Sequence, residues 1–358
     1  MATNTISVTD EVKVEDFWED VPLAGVGAGL RAQITQASAA WYATPDFCEL
    51  YSPLAATRLR FIRSSSGRVL RAFCYHRSDE RKALVFGPTE LPTTSILSLP
   101  TALGCSQVEV LRMTDDPADS MRKLGCRISV RAMSNDMVVT LPKRHEDYIK
   151  SLGPQTRKHL PYYLRRAQKE FGPSFDSRLF KNSAITFSSF TSLVQLNRSR
   201  IEQKGGYSAW TEDLVQRRSS LIARSGVFLG IYSGERLLAG TASYFHKADA
   251  YLALIGHTPE FDRYNLGNLA LWQTINHLID MGVQHYHLLW GASAYKEQFG
   301  ASRVNLNEVV VFDDLGAALR WHTAKRAETA KTAILHLSRR LVSGVRKRLG
   351  LERGMKMQ

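Results

Sequence analysis

The sequence has no apolar run that approaches the roughly 20 residues an α-helix needs to cross a bilayer. It also has no secretory leader pattern at its start. The first 20 residues carry six carboxylates against Lys13, whereas a signal peptide begins basic and continues apolar. We therefore expect the protein to remain in the cytoplasm.

Cysteine is scarce, and the spacing of the cysteines does not indicate a domain stabilised by zinc or by disulfides. The four cysteines form no CxxC pair, and their spacings of 26, 31 and 21 residues match neither a zinc site nor a disulfide framework. We expect no metal site. We also expect buried free thiols at Cys48, Cys74, Cys105 and Cys126.

Acidic residues do not balance the basic ones, and the 358-residue chain carries a net charge of +13. The excess lies in two segments. From Arg320 to Gln358 eleven basic residues stand against two acidic ones, and from Lys143 to Lys169 eight stand against two. Such concentration indicates particular contact surfaces rather than a nucleic-acid-binding protein in general.

The basic tail also has an apolar stripe at helical spacing, formed by Ile334, Leu337, Leu341 and Val345. This combination predicts a basic helix that lies on an anionic membrane surface. The alternative is a helix docked on the protein's own surface, for example against the acidic first 20 residues.

The length predicts two lobes, and composition divides the chain further. We expect an acidic, loosely packed segment at 1–25, an α/β lobe at 26–145, a second lobe at 146–320 and the basic tail at 321–358. The first lobe shows no chemical motif. Its alternation and turn residues predict these elements: a hairpin of Arg58–Ser64 and Val69–His76, strands Ala83–Phe86, Gln107–Leu111 and Met137–Leu141, and helices Ile96–Leu103 and Ala118–Leu124.

The second lobe opens with the basic helix Gln155–Phe171, in which Pro161 predicts a kink or a restart. Two helices follow, and each ends at glycine. The remaining predicted elements are strands Val227–Tyr232, Leu237–Phe245, Ala250–Ile255, Gln284–Leu289 and Asn307–Phe312, with a helix over Leu266–Met281.

The segment Arg263–Ala270 joins a predicted strand to a predicted helix and contains Gly267. A helix N-terminus presents unpaired N–H groups and partial positive charge, and glycine lets phosphate oxygens approach the backbone. The segment therefore suits a pyrophosphate, although a single glycine at a helix start is also common in ordinary turns.

Five places over about 150 residues resemble the GNAT acyltransferase superfamily, and more narrowly its CelD-like branch of cellulose and exopolysaccharide biosynthesis, which is related to the FemABX aminoacyl transferases. They are Thr156–Lys158 with Arg165-Arg166, Asn197–Arg200 with Lys204-Gly205, Gly234–Gly240, Tyr264–Leu269, and Trp290–Lys296 continuing to Phe299–Ala301.

The resemblance implies an α/β fold of two GNAT-like lobes with a mixed, mostly antiparallel sheet. That sheet would splay between Ala250–Ile255 and Gln284–Leu289 to admit the pantetheine arm of acetyl-CoA or another acyl-CoA. Carried over to this sequence, the cofactor-binding residues are Leu254, Ile255, Arg263, Asn265, Leu266, Gly267, Asn268 and Leu269. The loop departs from the family pattern, because three residues rather than two separate Arg263 from Gly267.

Acyl transfer needs a base, donors for the oxyanion and an acid for the departing thiolate. His257 directly follows the strand at the gap, and we expect it to be the base. Tyr295 is the expected acid. Lys296 is expected to hold a substrate phosphate or carboxylate, or else to cap a short helix. His285 and His287 share one strand face and form a possible second base site.

Asn197, Arg200, Lys204 and Trp210 cluster between two predicted helices and suit an anionic or sugar acceptor. The alternative is a solvated helix end above a buried tryptophan.

These residues predict an acyl-CoA-dependent N- or O-acetyltransferase acting on a sugar-, lipid- or peptidoglycan-linked acceptor, as in exopolysaccharide biosynthesis. One alternative is a FemABX-like transferase that uses aminoacyl-tRNA, the only case in which we expect a nucleic-acid partner. Another is a non-catalytic partner of a membrane polysaccharide synthase.

Overall fold

The computed structural model describes residues 18–51, 56–87, 93–123, 125, 127–291 and 293–327. These residues form a mixed α/β fold around one 12-stranded, mostly antiparallel open sheet with the order β1-β2-β3-β4-β5-β12-β6-β11-β10-β9-β8-β7. The strands are β1 Glu19–Pro22, β2 Thr57–Arg63, β3 Val69–Asp79, β4 Lys82–Val85, β5 Gln107–Met113, β6 Ile128–Thr140, β7 Phe175–Lys181, β8 Gly226–Ser233, β9 Arg236–His246, β10 Asp249–His257, β11 His285–Trp290 and β12 Ser302–Phe312.

The helices pack on the two faces of the sheet. They are α1 Ala28–Ala37, α2 Pro45–Tyr51, α3 Thr93–Leu97, α4 Leu99–Leu103, α5 Asp115–Arg122, α6 His145–Ser151, α7 Pro154–Phe171, α8 Phe187–Gln203, α9 Glu212–Ser225, α10 Leu266–Asp280 and α11 Ala294–Gln298. Within the part of the chain that the structure describes, no helix is both long enough and apolar enough to span a membrane.

The prediction that residues 1–25 pack loosely is wrong for Glu19–Pro22, which form β1 against β2. The acidic side chains are used in ion pairs with that strand: Asp20 pairs with Arg58 and Glu19 with Arg63, each at 2.7 Å. Leu23, immediately after β1, is fully buried. Residues 1–17 lie outside the described part of the chain.

Helices α8 and α9 each begin after a threonine that caps the first turn. The hydroxyls of Thr186 and Thr211 accept hydrogen bonds from the N–H groups of Ser189 and Leu214. The predicted interruption of α7 is wrong, because the helix continues through Pro161 as one segment. Its buried residues Leu160 and Ala167 pack on both sides of the proline, so tertiary packing outweighs the missing hydrogen bond.

The strands differ from the predicted ones in two places: β6 is longer than predicted, and β7 is an additional strand. Strand β6 covers 13 residues, of which only its last part, Met137–Thr140, falls in the predicted strand Met137–Leu141. Strand β7 at the sheet edge was not predicted, because its half-exposed face removes the apolar alternation. Cys48, Cys74 and Cys105 are buried free thiols, as predicted, and Cys126 lies outside the described residues.

The two predicted lobes share one sheet. Strand β12 comes from the second lobe, yet it inserts between β5 and β6 of the first. Aromatic side chains also cross the boundary, since the indole of Trp41 stacks on the ring of Tyr244 at 4.5 Å between centroids. A final helix covers residues 315–327. The predicted apolar stripe of the tail lies outside the described residues.

The predicted splay of the sheet is confirmed. Strands β10 and β11 pair in parallel only at Asp249, Ala250 and Tyr251, and beyond Tyr251 the two strands diverge. The second half of β10 therefore has a strand partner on its β9 side only.

A buried group of charges closes the sheet where this gap begins. His287 on β11 contacts Asp136 on β6 at 2.7 Å and Asp249 on β10 at 3.8 Å. Its ring also stacks on Tyr251, with 4.2 Å between centroids. We call Asp136, His287 and Asp249 the three-strand staple. Burial alone would lower the pKa of His287, but the two carboxylates outweigh it and raise the pKa to about 9.

We predict that His287→Gln lowers the free energy of unfolding by about 3 kcal/mol near pH 6, because it leaves Asp136 buried without its partner. A raised histidine pKa stabilises the fold fully below the unfolded pKa of 6.5, and this contribution is lost as pH rises through about 9. The difference between wild type and variant should therefore shrink above that pH. Urea unfolding across the range measures it.

His285→Gln is the matched control, since His285 is 43% exposed and pairs only with Asp249. Its effect should be small. A loss for His287→Gln that is equal at both ends of the pH range would contradict the staple.

Candidate active site

The open edge of β10 supplies backbone groups to the gap. The N–H of Thr258 donates to the carbonyl of Leu238 on β9 at 2.8 Å. Along β10 the backbone N–H and C=O groups of successive residues point alternately toward β9 and away from it, and this bond shows which residues point toward β9. Residues of even number at this end therefore bond to β9, and Ile255 and His257 direct their N–H and C=O groups into the gap. The predicted cofactor residue Leu254 does not: its backbone faces β9 and its side chain is in the core.

Asn197 was predicted to bind an acceptor, but its side chain is engaged within the protein. Its side chain is buried, and Nδ2 donates to the carbonyl of Ile255 at 2.8 Å. Helix α8 lies directly against the backbone of β10 here, since a Cβ on Gly256 would come within 2.9 Å of the Leu193 carbonyl oxygen. Asn197 therefore satisfies the open edge of the strand.

A small cavity of about 60 Å³ lies at the mouth of the gap. It brings together seven residues that the sequence analysis selected: Arg200, Ile255, His257, Asn265, Gly267, Asn268 and Tyr295. The structure thus gathers the expected base, the expected acid and the start of α10 around one point.

His257 is held by Asp262, whose Oδ1 lies 3.0 Å from Nε2. In the neutral ring Nε2 donates to this carboxylate, which leaves the lone pair on Nδ1. Burial and then the charge of Arg200 lower the pKa of His257, and Asp262 opposes this only in part. The imidazole is therefore neutral near pH 7 and able to accept a proton. Asp262 was missed, although it follows His257 by only five residues.

Gly267 makes room for His257. A Cβ at this position would lie 2.8 Å from Nδ1 of the imidazole. Among the described residues, the imidazole of His257 is thus the group that a side chain at this position would meet. The reason is that α10 starts immediately beside the end of β10, after Asn265 reverses the chain with a φ of +54°.

Three predicted cofactor residues do not present their side chains to the cavity. Leu266 and Leu269 are buried in the core, so Leu266 can offer only its backbone N–H. Arg263 is 60% exposed and pairs with Glu170 at 3.4 Å while lying over the ring of Tyr264. The charge predicted for a diphosphate is therefore already engaged at the outer surface.

Lys296, which was predicted to hold a substrate anion, is engaged with backbone carbonyls. The side chain is buried, and Nζ donates to the carbonyls of Leu289, Trp290 and Gly291 at 3.0, 2.7 and 3.0 Å. All three ammonium protons are used in this way. They hold the end of β11 and the start of the following turn, and Leu289 near the end of the strand takes a left-handed φ of +56°.

The neighbouring Tyr295 lines the cavity. Burial raises the pKa of its phenol, and the positive charge of Arg200 opposes the rise. The phenol therefore stays protonated near neutral pH and can donate a proton.

The predicted acceptor cluster separates in the structure. Arg200 is half-buried at the cavity and has no hydrogen bond or ion pair with any described residue. Lys204 is exposed at the end of α8. Trp210 packs on Phe190 and under the guanidinium of Arg218, 4.8 Å from its ring, so its indole belongs to the core side.

The two histidines of the predicted second base site, His285 and His287, are engaged with carboxylates. Both rings bond through Nδ1 to carboxylates, His285 to Asp249 and His287 to Asp136. Among the described residues no group of His, Cys, Asp or Glu is arranged to hold a metal ion.

Residues 154–297 match the family described as an acetyltransferase (GNAT) domain, and all seven cavity residues fall within the match. A comparison with curated protein sequences finds no match.

The fold is similar to that of FemX, with a TM-score of 0.62 at 9% identity over 82% of this chain and 97% of that one. It is also similar to the C-terminal domain of an Agrobacterium fabrum protein described as a lysylphosphatidylglycerol synthetase, with a TM-score of 0.53, 11% identity and 82% and 94% coverage. A third similar structure is that of L-PGS from Bacillus licheniformis. Its TM-score is 0.50 at 10% identity, over 78% of this chain and 91% of that one. At these identities the similarity shows a GNAT-like fold, and the CelD-like branch stays a prediction.

We predict that Gly267→Ala displaces the His257 ring and destabilises the protein, because the new methyl group overlaps Nδ1. In a His257→Ala background the same substitution should cost little, since the ring is gone. Melting temperatures of the four proteins complete the double-mutant cycle. Additive losses would show that the glycine is needed for another reason.

Proposed function

We propose that this protein is an acyltransferase that moves an acyl group, most simply acetyl, from acyl-CoA to an amine or hydroxyl. One observation carries the proposal: the gap between β10 and β11 ends in a cavity lined by a neutral histidine, an unpaired arginine and a protonated tyrosine.

His257 is the proposed general base. Nδ1 takes the proton of the attacking amine or hydroxyl, and Asp262 stabilises the imidazolium that forms. Arg200 faces the same point, so its charge would favour the oxyanion of the tetrahedral intermediate. The gap-facing N–H groups of Ile255 and His257 are further candidate donors to that oxygen.

Tyr295 is the proposed acid. Tyr295 belongs to α11, which follows β11, and it lines the same cavity as His257. There it can give a proton to the departing thiolate of the donor, and a raised pKa keeps that proton available.

The donor is proposed to enter along the gap with its amides against the open edge of β10. Its diphosphate would meet the first N–H groups of α10, at Leu266 and Gly267, and the polar side chains of Asn265 and Asn268. Arg263 contributes only if it leaves Glu170, so the loop supplies less positive charge than the sequence predicts.

The acceptor class remains as the sequence predicts: a sugar, lipid or peptidoglycan-linked group, with exopolysaccharide as the context that the CelD-like resemblance supports. A cytoplasmic protein that associates with the inner membrane surface through its basic tail is consistent with such an acceptor.

A FemABX-like use of aminoacyl-tRNA is the second candidate, and the surface of α7 favours it. This helix packs against α10 and the 3₁₀ helix Pro259–Tyr264. Its outer surface carries the exposed basic residues Arg157, Lys158, Arg165, Arg166 and Lys169. The phosphate backbone of a tRNA could bind along that surface as far as the gap.

A thermal-shift panel separates the donors. At a concentration about 100 times its dissociation constant, a ligand bound only by the folded state adds about 2.7 kcal/mol of stability. We predict a shift with acetyl-CoA and CoA that is reduced in Gly267→Val and unchanged in Lys158→Met. A shift with bulk tRNA alone, lost in Lys158→Met, would favour the second candidate. No shift with any CoA would contradict the proposal.

The electrostatics of the base can be measured without an acceptor. We predict by NMR titration that the pKa of His257 lies below 6.5 and rises in Arg200→Met, since removing a positive charge favours the imidazolium. Lys204→Met should raise this pKa less, and Asp262→Asn should lower it further. An unchanged pKa in Arg200→Met would remove Arg200 from the site.

A further inference from the structure

A second arginine without a counterion lies away from the cavity. Arg112, near the end of β5, is half-buried, and its Nε and Nη1 atoms are enclosed without any hydrogen-bond partner among the described residues. Its guanidinium carbon lies 5.8, 4.9 and 5.1 Å from the ring centroids of Tyr42, Phe47 and Trp290. We call these four residues the arginine cage.

Within the described part of the chain no carboxylate pairs with this guanidinium. The groups whose charges act on Arg112 are Tyr42, Tyr51 and Cys48, and burial raises the pKa of both Tyr42 and Cys48. Burial lowers the pKa of Arg112, which shows that its surroundings disfavour the charge. A half-buried cation without a counterion is stabilised when it binds an anion, and here that anion would come from a ligand.

The backbone of Arg112 is held in an uncommon conformation. Its φ is +60°, in the left-handed region that side chains other than glycine rarely adopt. The pairing of β5 with β12 shifts by one residue in the same place, between Asn307 and Val309. In this backbone conformation the side chain of Arg112 reaches Trp290 on β11. Strained backbone conformations of this kind are common at ligand-binding positions.

A short stretch of chain links the arginine cage to the proposed active site. Trp290 ends β11, and its carbonyl is one of the three that Lys296 holds, next to Tyr295 in the cavity. The indole is 38% exposed, so a flat apolar surface stands beside the guanidinium. A sugar ring can pack on such a surface while a charged substituent reaches Arg112.

We propose that the arginine cage binds the anionic group of a sugar acceptor, a phosphate or a carboxylate, with the sugar ring against Trp290. This inference rests on the proposed function for its acceptor role only. Arginine suits both anions because its fork offers two parallel N–H donors.

Calorimetric titration of the full-length protein with glucose 1-phosphate, glucuronate and glucose tests the proposal. Wild type binds at least one of the two anionic sugars, which identifies the anion, and binds glucose more weakly. Arg112→Met should raise the dissociation constant of that sugar at least about tenfold while glucose is unaffected. Trp290→Ala should reduce the affinity for glucose 1-phosphate toward that for inorganic phosphate.

Arg218→Met is the matched control. Its guanidinium also stacks on a tryptophan, Trp210, but donates to the hydroxyl of Tyr51, so this substitution should leave binding unchanged. If Arg112→Met does not fold, Arg112→Lys carries the test: it keeps the charge, loses the fork and should still weaken binding.

Equal affinity of wild type and Arg112→Met overturns the proposal, as does equal affinity of wild type for glucose and both anionic sugars. The aromatic rings alone would then balance the charge. The titration contains no acyl donor, so its outcome is independent of whether the protein transfers an acyl group.

Discussion

The contact of His287 with Asp136 and Asp249 fixes the arrangement on which the other features depend. It joins β6, β11 and β10 at the last residue where β10 and β11 pair. Beyond this point the two strands separate, so the staple decides where the gap starts. Because the buried Asp136 and the partly exposed Asp249 face one ring, the imidazolium is the stable form and the joint is held by charge rather than by apolar packing alone.

Buried polar side chains maintain the gap on both sides. On the β10 side Asn197 satisfies the carbonyl of Ile255, and on the β11 side Lys296 satisfies three carbonyls of the following turn. A splayed sheet leaves such backbone groups without strand partners, and an unsatisfied buried carbonyl is costly. These residues are thus required by the shape of the site. The groups left free for chemistry are His257, Arg200 and Tyr295.

The sequence predicts the position of the site better than the role of each residue. Periodicity and turn residues predict the element order, whereas the splay and most of the seven cavity residues were implied by the resemblance to the GNAT superfamily. Spacing cannot show which atom a side chain contacts, so Asn197, Lys296 and the two strand histidines were expected to act on a substrate. The sequence analysis did not select Arg112, because the first lobe has no chemical motif. Arg112 and Trp290 are distant in sequence, and only the folding of the sheet brings their side chains together. Strand β7 was missed because its exposed edge lacks an apolar pattern.

Amide hydrogen exchange by NMR, with and without acetyl-CoA, tests the central claim most directly. The claim is that the open edge of β10 and the start of α10 receive the donor. The N–H groups of Ile255 and His257 face the gap, so they should exchange faster than that of Thr258, which bonds to β9. Acetyl-CoA should slow exchange at Ile255, His257 and Gly267. Slowing confined to α7, or none at any of these amides while the protein is folded, would contradict the account.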